Sequence, residues 1–155
     1  MRSATTAVAY EGTNADNPLL VRVVVRSANP DALWEKAFQW IYEEEKILSD
    51  QLGPGESFEA KHRMDPCHGF MIVCDAAALE DGPLSPREYL QQCHLSQISE
   101  KNAARRPPVA VVYWPPPPPS WAKLVRCTPQ RLHQVEGDAP DKLVAFFAQV
   151  RQVAQ

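Results

Sequence analysis

The chain of 155 residues carries 45% hydrophobic and 23% charged residues at a formal net charge of −3, the make-up of a globular protein with sequence enough for one core. That slightly acidic balance gives no electrostatic footprint for nucleic acid or for an anionic membrane surface, so neither partner is expected. The four cysteines, Cys67, Cys74, Cys93 and Cys127, form no C-x-x-C pair and the first residues hold no apolar stretch of the secretory kind, which predicts reduced thiols and a cytoplasmic protein; no apolar run approaches the roughly 18 residues of a membrane helix.

Residues 1–17 mix small and polar residues without periodicity and are expected to form a mobile arm, leaving 18–155 as a single domain. The β-branched run from Leu19 to Arg26 predicts the first strand, with Arg22 and Arg26 sharing a face that is then only partly covered. Asn29-Pro30-Asp31 reads as a helix start: Asn29 to cap free amides, Pro30 for the first turn, Asp31 to complement the dipole. Apolar residues at Leu33, Trp34, Ala37, Phe38, Trp40, Ile41, Ile47 and Leu48 extend the helical stripe to about Leu52, where Gly53-Pro54-Gly55 stops it. Phe58 and Ala60 alternate with Glu59 and Lys61, which predicts a short half-exposed strand over 57–63, followed by a connection too short for a parallel crossover.

The stretch Gly69-Phe70-Met71-Ile72-Val73-Cys74-Asp75 is the most informative in the chain, an uninterrupted apolar run ending on an acid. Such a run reads as a strand covered on both faces, central in a parallel sheet. A loop from Ala76 to Leu84 leads to Ser85-Pro86-Arg87-Glu88, a capping box that starts a helix with Tyr89, Leu90, Cys93, Leu95 and Ile98 on its buried side and its end at Arg105-Arg106. Residues 109–114 repeat the buried-strand pattern, and Pro115 to Pro119 then force an extended, polyproline exit between Trp114 and Trp121. A helical turn over 120–125, an edge strand over 131–135 and a last helix with Leu143, Val144, Phe147, Val150 and Val153 on its inner side complete the pattern. The alternation predicts an α/β, flavodoxin-like three-layer sandwich around a mostly parallel sheet of four or five strands.

In open α/β sheets ligands bind beyond the carboxyl ends of the strands, where the strand order reverses. Those ends carry Ser27, Asn29, Asp75 and Trp114, which makes them the candidate binding residues, with none of the glycine-rich loops that cradle phosphate. Cys67-His68 and Cys93-His94 match no zinc spacing, and no serine sits in a nucleophile elbow.

Three stretches, 23–34 (VVVRSANPDALW), 65–73 (DPCHGFMIV) and 108–150 with its proline exit, resemble Toll/interleukin-receptor (TIR) domains, most closely the TIR-like segments of bacterial STAND-type signalling ATPases. The resemblance implies the same flavodoxin-like architecture. Catalytic members cleave NAD with a glutamate on the helix after the central strand, in a Trp-Cys-x-x-Glu pattern. Setting Tyr89-Leu90 on its first two positions puts Cys93 where that glutamate belongs. The resemblance therefore implies a non-catalytic domain without a cofactor, acting through a protein partner or self-association; the proline run and the aromatics Trp114 and Trp121, expected to be exposed, are the candidate contact surface. The alternatives are an NAD glycohydrolase using Glu88 or Glu80 and a flavodoxin-like nucleotide binder.

Overall fold

The structure, a computed structural model, describes residues 19–53, 55–75, 86–113, 131–136 and 143–153. The predicted arm over 1–17, the loop after Asp75 with Glu80, Ser85 of the capping box, Trp114, the proline run, Trp121 and the turn over 120–125 lie outside them.

Among the described residues, five strands and four α-helices follow one another: β1 (Leu20–Arg26), α1 (Pro30–Glu45), β2 (Leu48–Gln51), α2 (Phe58–Met64), β3 (Gly69–Cys74), α3 (Arg87–Ser99), β4 (Val109–Tyr113), β5 (Leu132–Glu136) and α4 (Val144–Val153). The strands form one sheet in the order β2-β1-β3-β4-β5, and every neighbouring pair is parallel. This is the doubly wound flavodoxin-like arrangement predicted from the alternation of elements. All six residues of β3 and all five of β4 are buried, as unbroken apolar runs require in the middle of such a sheet.

The period-two alternation of the strands divides the core into two layers. Leu20, Val24, Phe70, Ile72, Val109 and Val111 meet Phe58 of α2 and Leu90 and Cys93 of α3 on one face. On the other, Val21, Val23, Val25, Met71, Val73 and Val112 meet Ala37 and Ile41 of α1 and Phe146, Phe147 and Val150 of α4.

Residues 46–64 depart from the pattern expected of the sequence. Helix α1 stops at Glu45 rather than near Leu52: Lys46 takes the left-handed conformation (φ 56°) and its N–H closes on the Tyr42 carbonyl at 2.9 Å. Ile47 and Leu48, which continue the helical spacing, instead turn into the core, and Leu48–Gln51 forms the edge strand β2. The predicted strand over 57–63 is helix α2, begun by Ser57, whose hydroxyl accepts the Ala60 N–H at 3.1 Å. Because this helix joins β2 to β3, the connection that looked too short is an ordinary βαβ crossover.

Side chains in β1, α3 and α4 also differ from expectation. Arg22 is fully buried rather than on a half-covered face, since Asp50 of β2 lies beside it. Helix α3 ends at Ser99, where Glu100 turns extended, and its buried residues are Leu90, Cys93, Ser96 and Gln97, while Leu95 and Ile98 are exposed. The Gln97 amide donates to the Pro107 carbonyl at 2.8 Å, which accounts for a polar residue on the inner side. In α4, Phe146 takes the buried place predicted for Val144, which is exposed.

Candidate functional site at the carboxyl edge of the sheet

Strand order reverses between β1 and β3, whose carboxyl ends lie side by side with Arg26 in register with Cys74. One residue further along each strand, the Ser27 hydroxyl donates to Asp75 Oδ2 at 2.5 Å, and the Ser27 oxygen accepts the Asn29 N–H at 2.9 Å. The structure thus brings together Ser27, Asn29 and Asp75, three of the candidates read from the sequence. Ser27 is buried and Asn29 is exposed at the start of α1; the Asn29 side chain makes no capping hydrogen bond, so its part in the cluster is played by its backbone.

On the α3 side of the same edge, the Arg26 guanidinium stands over the Tyr89 ring, 5.0 Å from its centroid. Tyr113 closes the end of β4 with its side chain in the core, and burial pushes the neighbouring Cys74 thiol up. Glu88, one residue before Tyr89, is exposed in the first turn of α3. Glu80, Trp114 and Trp121 belong to the residues not described.

Cys93, which the resemblance set on the glutamate position, is fully buried between α3 and the sheet. Burial pushes its thiol up well above the ordinary range, and the nearby Cys67 adds to the effect.

A second polar cluster lies at the opposite, amino edge of β3. The Arg22 guanidinium donates from Nε and Nη2 to Asp50 Oδ2 (3.3 and 3.1 Å), from Nη1 to the Asp65 carbonyl (2.7 Å) and from Nη2 to Asp65 Oδ2 (3.3 Å). Beside it, His62 Nδ1 accepts the Cys67 N–H at 3.1 Å and lies 3.5 Å from the Cys67 sulfur. That spacing is within reach of a nucleophile and its base. The chemistry is not: burial pushes the Cys67 thiol up to about 12 despite Arg22, and the ring nitrogen that would take its proton already holds a backbone N–H. His68 Nδ1 accepts the Leu20 N–H at 3.1 Å. Sequence reasoning missed this cluster, although an arginine inside the apolar run of β1 was its signal.

Among the described residues, no group of three or more His, Cys, Asp and Glu side chains is placed to hold a metal ion, and no helix is long and apolar enough to cross a membrane. No protein-family model matches the chain, and no curated protein or solved structure matches it significantly.

Proposed function

We infer that this is a non-catalytic, TIR-like interaction and regulatory module of bacterial signalling or defence, which works by docking to a protein partner or to a second copy of itself. The observation that carries the reading is Cys93. At the one place where the family pattern demands a carboxylate, this chain has a thiol sealed in the core, unable to hold ribose hydroxyls or to stabilise an oxocarbenium-like centre. The polar groups at the switch point support it further, since Ser27 and Asp75 satisfy each other.

The test has two arms. Purified protein incubated with NAD is expected to release no nicotinamide, and sedimentation velocity is expected to show concentration-dependent association, weakened by Trp114→Ala or Trp121→Ala. Nicotinamide release abolished by Glu88→Gln or Glu80→Gln would overturn the reading in favour of a glycohydrolase.

A second reading, a nucleotide-binding domain, is favoured by one observation: the strand order places Ser27 and Asp75 where flavodoxin-like sheets bind ligands. Thermal shift against a panel of nucleotides separates it from the first, with stabilisation lost in Asp75→Asn as its signature.

A further inference from the structure

Two imidazoles flank the segment that leads from α2 into the central strand, and both are used in the same way. His62, in the last turn of α2, accepts the Cys67 N–H on Nδ1; His68, immediately before β3, accepts the Leu20 N–H on Nδ1, while its backbone N–H donates to the Leu20 carbonyl at 2.8 Å. A nitrogen that accepts a hydrogen bond carries no proton, so both rings are neutral with hydrogen on Nε2. Protonation places an N–H on Nδ1 against the backbone N–H it faces. The bond is lost and donor meets donor.

We propose that His62 and His68 form an acid-sensitive latch: unprotonated, they hold the 65–68 segment and α2 to the β1–β3 edge, and protonation of the rings releases that segment.

The surroundings reinforce the device. Around His62, burial opposes a second positive charge most, the Arg22 guanidinium of β1 and the His68 ring add to that opposition, and Glu100 and Asp65 favour the charge. Arg22 is itself held by Asp50 of β2 and by Asp65, and the Phe70 ring of β3 lies 5.4 Å from the His62 ring. Around His68, burial is the resolved cause. Both rings are therefore held below the ordinary imidazole value of about 6.5.

The sign follows from linkage. Both rings are neutral in the closed form, and once released they bind protons at their ordinary value, so the closing free energy is complete above about pH 6.5 and declines as pH falls below it. Each ring that must be protonated on opening multiplies the opening constant about tenfold per pH unit in that window.

Hydrogen exchange on the full chain, corrected for intrinsic rates, reads the latch at the Leu20 and Cys67 amides. Their protection is expected to fall about tenfold or more per unit between pH 6.5 and the folded ring values, while Ile72 and Val111 change far less. Asparagine places its amide oxygen near the position of Nδ1 and does not titrate. His62→Asn with His68→Asn is thus expected to flatten the pH dependence. Should the variant not fold, nitrogen-detected NMR of the wild-type rings decides by itself: neutral rings protonated on Nε2 that titrate below 6.5 support the latch. Rings protonated on Nδ1, ordinary titration, or protection at Leu20 and Cys67 that ignores pH would overturn it.

Discussion

Arg22 of β1 and Asp50 of β2 stand opposite each other in the parallel register, joined by two hydrogen bonds to one carboxylate oxygen, with side chains 0% and 3% exposed. A charge so placed is tolerable only with its partner, because neither water nor a mobile side chain can replace it. Removing Asp50 strips the buried carboxylate from Arg22 and leaves it only the half-exposed Asp65, and removing Arg22 takes the guanidinium from a buried carboxylate. Arg22→Ala and Asp50→Ala are each expected to cost about 3–5 kcal/mol in urea unfolding. Replacing both at once, Arg22→Met with Asp50→Leu, is expected to cost much less than the two single changes added together. Additive losses in the double-mutant cycle would show that the pair is not the source of the effect.

At the carboxyl edge the Ser27 hydroxyl bridges two elements, donating to Asp75 beyond β3 and accepting from Asn29 at the head of α1. Ser27→Ala strips both bonds and leaves the Asn29 N–H without this acceptor, so a loss of about 1–3 kcal/mol is expected. Ser27→Thr keeps the hydroxyl and is expected to recover part of it. Chemical denaturation of the two variants side by side checks this, and equal losses would exclude the hydroxyl as the cause.

The three cysteines of the described core are expected to be inert. Cys67, Cys74 and Cys93 are all buried, and burial pushes each thiol up, Cys67 to about 12. The thiolate is the reactive form, so both access and ionisation are withheld. In a Cys127→Ser background a thiol reagent at pH 8 is expected to label none of the three in the native protein and all three in denaturant. Rapid native labelling of Cys93 would mean that α3 lifts from the sheet, and would revive an open cleft at that position.

Which parts of this architecture could be read from the sequence depended on how much local pattern each element carried. β3 and β4 were legible because an unbroken apolar run of five or six residues between turn formers is too short for a buried helix and suits a strand covered on both faces. Ser27, Asn29 and Asp75 were legible as strand-end residues, while their meeting at the reversal between β1 and β3 came from the strand order, which the sequence does not carry. β2 was illegible for the opposite reason. Its four residues, Leu-Ser-Asp-Gln, have no strand propensity to speak of, and Ile47 and Leu48 fall on the helical period of α1 by coincidence of spacing. Helix α2 was hidden by its brevity: over seven residues, Phe58 and Ala60 fit a strand as well as a helix, and only the Ser57 cap tells them apart. With β2 misplaced, the partner of Arg22 was misplaced too, since Asp50 lies 28 residues away on that strand. A buried charge is therefore the feature that sequence periodicity conceals best: its partner comes from tertiary structure.

Gly69, the first residue of β3, lies directly against helix α4. A Cβ built there would come within 2.8 Å of the Val150 methyl Cγ2 and 3.1 Å of Phe146 Cζ, both on α4. Glycine is thus required at this position by space, and α4 sits as low on the sheet as it does because nothing projects from residue 69. Gly69→Ala is expected to cost about 1–3 kcal/mol as the last helix is pushed outward. Val150→Ala alone opens a cavity and is also destabilising, but in the double variant the new methyl enters the space that the valine vacates. The two changes are expected to couple favourably by about 0.5–3 kcal/mol, measured as the difference between the double variant and the sum of the singles. Absence of coupling would mean that α4 does not rest on the start of the central strand, and the packing of that entire layer would need to be drawn again.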